Sequence, residues 1–243
     1  MKDSYFTLVE NRKIATGTYL SVLEGDTSDI SASGQFVNIK LDGLYLRRPI
    51  SVCDVDGNRL TIIYKAVGVG TEKMAGSAVG EKWLTLTGLG NGYDLTKSGE
   101  APLLIGGGAG VPPMYYLAKL LVAQGKHPTV ILGFGKADEV FFKEEFEALG
   151  LKVLVTTVDG SEGIRGFVTD AMDGIDYTYF YTCGPEPMLK AVYNMSTTSG
   201  QFSFEERMGC GFGACMGCTC KTKYGNKRIC RDGPVLEKEE IIW

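Results

Sequence analysis

A chain of 243 residues, 44% of them hydrophobic, is long enough for two ordinary domains and a small third unit. No run approaches the roughly twenty uninterrupted apolar residues of a membrane span. The net charge of −4 offers no general attraction to nucleic acid or anionic lipid, so neither is expected as a partner. The one histidine, His127, sits in the polar turn Gly125-Lys126-His127-Pro128. Histidine-based hydrolysis and histidine-ligated metals therefore lack residues, and the chemistry must be carried by cofactors.

In chain order, the first hundred residues read as short strands at Thr18–Leu23, Gln35–Ile39, Leu60–Val67 and Lys82–Leu86, divided by Gly25, Gly34, Gly57, Gly70 and Gly80. Such regular spacing predicts a small antiparallel β-barrel, placed at residues 1–98. Two segments within it, Arg47-Arg48-Pro49-Ile50-Ser51 and Tyr64-Lys65-Ala66-Val67-Gly68-Val69-Gly70-Thr71, pair to suggest a nucleotide site. An arginine beside a serine offers charge-assisted and hydroxyl contacts to a pyrophosphate or a flavin ring, although R-R-P-x-S also occurs in ordinary surface turns.

After Gly99 the grammar becomes strand, glycine-rich turn, helix, strand, which predicts a parallel α/β domain over 99–200. Its strands are expected at Pro102–Ile105, Thr129–Leu132, Lys152–Thr157 and Tyr177–Thr182, and its helices at Val111–Gln124, Phe141–Ala148, near Phe167–Met172, and at Pro187–Ser196. Between the first strand and helix lies Gly106-Gly107-Gly108-Ala109-Gly110-Val111-Pro112-Pro113. A helix N-terminus reached through so many glycines suits a pyrophosphate, since an ordinary turn of this kind needs fewer. It departs from the Rossmann fingerprint, with Val111 in the place of the third glycine. Cys183-Gly184-Pro185 closes the last of these strands, at the edge where open α/β sheets bind ligands. Cys183 is a candidate to lie against a nicotinamide ring, with a buried strand-end cysteine as the plain alternative.

Near the C-terminus, within 201–243, Cys210, Cys215, Cys218 and Cys230 stand as C-x4-C-x2-C-x11-C, the plant-type 2Fe-2S ligand spacing. Gly209, Gly211, Gly213 and Gly217 let the backbone wrap closely and turn N–H groups toward an anionic cluster. The competing reading is a four-cysteine zinc site, but zinc usually takes two separated knuckles and here three ligands crowd between Cys210 and Cys218. Cys220 is a spare thiol. Cys218 is preferred over it because C-x2-C brings two thiolates to one iron from a single turn. Seven cysteines, an odd number, and an N-terminus without a basic or apolar leader argue against a disulfide framework and predict a reduced, cytoplasmic protein. The cations Lys221, Lys223, Lys227 and Arg228 cluster in the cysteine loop.

Taken in this order, RRPIS, YKAVGVGT, GGGAGVPP, CGPEPM, and E-R-M-G-C-G-x-G-x-C-x-G-C followed by C-x-D-G-P-V resemble the ferredoxin-NADP reductase superfamily. Within it they resemble the electron-transfer subunits of NAD-linked, type B dihydroorotate dehydrogenases, over nearly the whole chain. The resemblance implies an FAD-binding barrel, a ferredoxin-reductase-type α/β domain and a small 2Fe-2S module. It implies that NADH docks at Gly106, Gly107, Gly108, Ala109, Gly110 and Pro112, with Gly184 and Pro185. It also implies that Arg48, Pro49, Ile50, Ser51, Ile63, Tyr64, Lys65, Gly70 and Thr71 contact FAD. Electrons would then pass through the cluster to the FMN of a separate dihydroorotate dehydrogenase catalytic subunit in pyrimidine biosynthesis, in a heterotetramer of two plus two. A flavin is in any case the part required between a hydride carrier and a one-electron centre.

The substrate-oxidising machinery has no room in what remains, so a partner is expected, docking at the cluster loop with Phe212 and Met216 either exposed or packed beneath it. Asp138 and Glu139 would repel a 2'-phosphate and Lys136 would attract one, with NADH the preferred coenzyme. The related subunit of an NADH-dependent ferredoxin:NADP oxidoreductase or sulfide dehydrogenase is the nearest rival. A non-enzymatic nucleotide-binding protein with a structural zinc module is the rival from another class.

Overall fold

The computed structural model describes residues 1–243. Six antiparallel strands close into a barrel: β1 (Lys2–Ala15), β2 (Thr18–Glu24), β3 (Phe36–Lys40), β4 (Arg48–Asp56), β5 (Arg59–Lys65) and, after the short helix α1 (Val69–Ala75), β6 (Lys82–Leu89). Their order is β1-β2-β5-β4-β3-β6, and β1 closes the ring by pairing with both β2 and β6. Side chains of alternating residues fill the interior, among them Phe6, Leu8, Leu23, Val37, Ile39, Leu60 and Ile62, each fully or almost fully buried.

The α/β part follows as β7 (Pro102–Gly107), α2 (Val111–Ala123), β8 (Thr129–Phe134), α3 (Lys143–Ala148), β9 (Lys152–Thr157), β10 (Ile164–Arg165), α4 (Val168–Met172), β11 (Tyr179–Cys183) and α5 (Glu186–Met195). The remaining elements are β12 (Gly200–Ser203), β13 (Thr219–Thr222), β14 (Gly225–Arg228), α6 (Ile229–Asp232) and β15 (Val235–Glu237). One seven-stranded sheet runs β10-β9-β8-β7-β11-β12-β15, parallel except at β15. The strand order reverses between β7 and β11, so the crevice at their carboxyl ends is the switch point where open α/β sheets take ligands. Leu103, Leu104 and Ile105 are completely buried, as a parallel strand covered on both faces requires.

The residues after Gly200 extend this sheet through β12 and β15, and the cysteine loop and the β13–β14 hairpin hang between those two strands. Polar contacts pin barrel and sheet together, among them two at the rim of the interface. The amine of Lys119 on α2 meets Asp54 on β4 at 2.6 Å, and the Thr16 backbone N–H donates to the Asp138 carbonyl at 2.9 Å.

Candidate functional site

Two cavities meet at the switch point. The first, of about 450 Å3, lies over the ends of β7, β8 and β9 and is lined by Gly107, Gly108, Phe134, Gly135, Thr156 and Val158, with Pro185, Pro187 and Met188 from the start of α5. The glycine-rich turn forms its floor for two separate reasons. Gly108 has φ +51 and nothing within 4 Å of where a Cβ would be, so the backbone itself faces open space. Gly110 touches the next segment: a Cβ there would overlap the carbonyl of Cys183. Gly106 and Pro112 are buried beneath the turn and line neither cavity.

The charged residues of this first cavity are Lys65 and Glu139, which face each other at 3.5 Å. Lys136, the cation that would attract a 2'-phosphate, is instead paired with Asp138 at 3.1 Å, and Asp138 also accepts from the Thr16 hydroxyl at 3.0 Å. Glu139 is therefore the carboxylate facing the cavity.

The second cavity, of about 420 Å3, lies between barrel and sheet. Arg48, Pro49, Ile50 and Ser51 enter from β4, and Ile63, Tyr64 and Lys65 from β5. Gly107, Ala109, Gly110, Cys183, Gly184 and Pro185 supply the opposite wall. Lys65, Gly107 and Pro185 border both cavities, so a ligand in one reaches the other. A cavity of this size, largely apolar but with an arginine and a serine in its lining, suits a flavin dinucleotide, and the adjoining cavity suits a second nucleotide.

Two expected contacts look different in the structure. Gly70 does not line the cavity; it is buried behind Arg48, whose guanidinium fills the space a Cβ would need. Thr71 does line the cavity, but its hydroxyl accepts from the backbone N–H groups of Val67 at 3.0 Å and Gly68 at 3.3 Å, holding the turn before α1. Phe36, Ser203, Phe204, Glu205, Glu206, Met208 and Pro234 also wall the cavity and were not foreseen. They come from three stretches, Phe36 on β3, residues 203–208 running out of β12, and Pro234 just before β15, which the tertiary fold brings together.

Cys183 ends β11, flanked in register by Gly106 on β7 and Ser203 on β12. Burial pushes its thiol up to about 12, with a hydroxyl contact from Ser203 offsetting part of the effect. The group is therefore a neutral thiol at physiological pH and supplies shape rather than a charge.

The four candidate cluster cysteines lie as two pairs, Cys210 beside Cys215 and Cys218 beside Cys230. Burial works against ionisation of Cys210, but N–H groups directed at its sulfur outweigh it and bring the thiol down to about 6. The N–H groups of Ala214 and Cys215 approach that sulfur at 3.3 and 3.4 Å. Gly217 donates to Cys215 at 3.5 Å and Cys230 to Cys218 at 3.4 Å. Two pairs of thiols with backbone donors fit a two-iron core better than one zinc. Cys220 lines a different cleft, with Phe204 and Trp243, while Cys218 is buried beside Cys230. Trp243 packs on Phe204 and Tyr193 and does not border the second cavity. Phe212 and Met216 are 44% and 54% exposed, so neither is tucked under its own loop.

Comparison with known proteins agrees with this geometry. Residues 205–242 match the iron-sulfur cluster binding domain of dihydroorotate dehydrogenase B, and residues 104–194 match the oxidoreductase NAD-binding domain. The chain is 42% identical over 256 aligned positions to the dihydroorotate dehydrogenase B (NAD(+)) electron transfer subunit of Shouchella clausii, covering 99% of this chain and 98% of that one. It is 45% identical to the same subunit of Fusobacterium nucleatum, covering 99% of each. Among solved structures it is similar to the NADH-dependent reduced ferredoxin-NADP oxidoreductase of flavin-based electron bifurcation, with TM-score 0.89, 29% identity, and coverage of 99% of this chain and 90% of that one. A ferredoxin NADP+ reductase from Neisseria gonorrhoeae shares the fold, with TM-score 0.70 at 15% identity, over 80% of this chain and 90% of that one.

Proposed function

The chain belongs to the electron transfer subunits of dihydroorotate dehydrogenase B, and from that premise we propose that it carries electrons between NADH and a partner catalytic subunit that interconverts dihydroorotate and orotate. The observation that carries the reading is the meeting of three sites in one chain: two adjoining cavities at the switch point and a four-thiol loop beside them. FAD, NAD(H) and a 2Fe-2S cluster are the cofactors these sites fit. When bound, the flavin would supply the chemistry that accepts one hydride, an electron pair, from NADH and releases it as two single electrons, for which the cluster would be the one-electron outlet.

The chain's own residues supply position and charge. In our assignment Arg48 and Ser51 hold the phosphate and ring edges of FAD, and Ile50, Ile63 and Tyr64 pack along it. Gly107, Gly108 and Ala109 cradle the NADH pyrophosphate, while Gly184 and Pro185 admit its nicotinamide beside Cys183. Gly106, Pro112 and Gly110 set the turn that makes this cradle. Glu139 lines the first cavity opposite Lys65, and with Lys136 held by Asp138 the cavity has no unpaired cation for a 2'-phosphate, so NADH is our preferred coenzyme. Cys210, Cys215, Cys218 and Cys230 hold the cluster, and the backbone N–H groups around Cys210 and Cys215 stabilise its negative charge.

The division into residues 1–98 for FAD, 99–200 for NAD(H) and 201–243 for the cluster is part of the same proposal. So are an FMN in the partner, a two-plus-two heterotetramer and a cytoplasmic location. No helix is long and apolar enough to cross a membrane. The exposed Phe212 and Met216 beside the cluster favour that loop as the docking face.

The test is reconstitution. Mixed with an FMN-containing dihydroorotate dehydrogenase catalytic subunit, the protein is expected to drive NADH-dependent reduction of orotate. A mixture that oxidises NADH without consuming orotate would remove the dihydroorotate assignment. The similarity in fold to the NADH-dependent ferredoxin-NADP oxidoreductase keeps that system as the second reading, with the same internal path and a different recipient.

A further inference from the structure

We infer that Asn38, a barrel residue outside every motif above, is the positioning residue that ties the cluster loop to the flavin cavity; the inference rests on the cofactor assignment just made. On β3 the side chains of Val37 and Ile39 point into the barrel core, so Phe36 and Asn38 share the opposite face. Phe36 lines the flavin cavity. Across the sheet, Asn38 stands in register with Pro49 of β4, which lines the same cavity. Its amide Nδ2 donates to the backbone carbonyl of Cys210 at 3.3 Å. The loop closes against it at the next residue, since Gly211, with φ +79, has the Asn38 amide where a Cβ would lie. One side chain thus touches a cluster ligand's backbone while its strand forms the flavin wall.

Two further observations indicate that Asn38 is present for this contact. The residue is 1% exposed, and its Oδ1 has no hydrogen-bond partner. A buried amide oxygen without a donor is unfavourable, so an apolar side chain of similar shape would suit the barrel better. In addition, the Arg47 guanidinium donates to the Asn38 carbonyl at 3.2 Å while paired with Asp3 at 2.8 Å, which fixes the strand at this point. On its far side the loop is held by Arg228, which donates to the Gly213 carbonyl at 2.9 Å and is itself oriented by Asp232. The segment from Cys210 to Cys215 is therefore gripped from both sides, and Asn38 is the grip on the barrel side, on the strand whose Phe36 lines the flavin cavity.

The experiment is anaerobic rapid mixing of the holoprotein with NADH, following flavin and cluster bands separately, together with the electron paramagnetic resonance spectrum of the reduced cluster. Asn38→Leu keeps the shape and removes the donor; Asn38→Ser is the smaller second variant should the first fold poorly. In either variant flavin bleaching is expected at the wild-type rate, with cluster reduction slowed about five-fold, the scale of one lost hydrogen bond, and with shifted resonance lines. Unchanged cluster reduction and unchanged lines would overturn the inference, as would equal slowing of both phases, which marks a merely structural residue. Wild-type protein whose cluster band does not respond to NADH would instead overturn the cofactor path itself.

Discussion

At the scale of single residues, Glu237 on β15 shows how the cluster module is fastened. Its carboxylate accepts from the Tyr179 hydroxyl at 2.9 Å, the Gln201 amide at 2.7 Å and the Lys97 amine at 2.7 Å, joining β15 to β11, β12 and the segment before β7. Burial favours the neutral acid, but the three donors outweigh it and hold the carboxyl below its ordinary value of 4.5. A carboxyl depressed by folding adds stability that is fully present above the ordinary value and is lost as pH falls through the folded one. Melting temperature is therefore expected to drop as pH falls below 4.5, and Glu237→Gln should flatten that drop while costing about 1–3 kcal/mol at neutral pH. An unchanged acid limb in the variant would assign the loss to other carboxylates. The cysteines make a second residue-scale prediction. Serine at Cys210, Cys215, Cys218 or Cys230 should remove the cluster bands and leave the flavin bands, whereas Cys220→Ser should keep both. Iron content and visible spectra check it. Cys183, neutral until about pH 12, should contribute no ionisation to the pH profile of flavin reduction between about pH 6 and about pH 9, which rapid mixing across that range would test.

At the scale of elements, the turn between β7 and α2 carries the sharpest contrast. Gly110→Ala pushes a methyl into the Cys183 carbonyl, and backbone cannot step aside as a side chain would. That change should cost about 1–3 kcal/mol of stability and disturb both cavities. Gly108→Ala meets open space and bears only the strain of its positive φ, about 1–2 kcal/mol, while placing a methyl in the cavity floor. The first should lower flavin retention as well as raise the KM for NADH; the second should raise KM with flavin retained. Urea denaturation and steady-state kinetics with an artificial acceptor separate the two. The same element explains what the sequence made legible. A glycine-rich turn and a cysteine spacing are written in consecutive residues, so their chemistry could be read directly. β1 was not, because Lys2–Ala15 scatters charged residues among Phe6 and Leu8 and hides the alternation. β4 shows in the sequence as a motif rather than a strand, and β12, four residues long, falls at the start of the stretch that the sequence assigns to the cluster module. Phe36 and Ser203 meet in one cavity through the tertiary fold, with Met208 carried there by the stretch that leaves β12, which no local pattern encodes.

At the scale of the whole molecule, the cluster unit is built into the α/β sheet through β12 and β15, and the sheet is locked to the barrel through Lys119–Asp54 and Thr16–Asp138. One continuous framework thus joins the three sites. The cysteine loop presents two exposed apolar side chains, Phe212 and Met216, beside the cluster position. Phe212→Asp with Met216→Asp should weaken association with the catalytic subunit at least about ten-fold, since two apolar contacts are replaced by charges, while leaving NADH-driven reduction of flavin and cluster intact. Calorimetric titration beside the spectra would check both halves. The central claim is that one chain carries electrons from NADH through a flavin to a two-iron cluster, and the most direct measurement is an anaerobic NADH titration of the purified holoprotein followed by visible absorption and paramagnetic resonance. The account predicts loss of flavin and cluster bands together with a new signal from a reduced 2Fe-2S centre. A protein that bleaches its flavin and never shows that signal, or that binds zinc at the four cysteines, would contradict it.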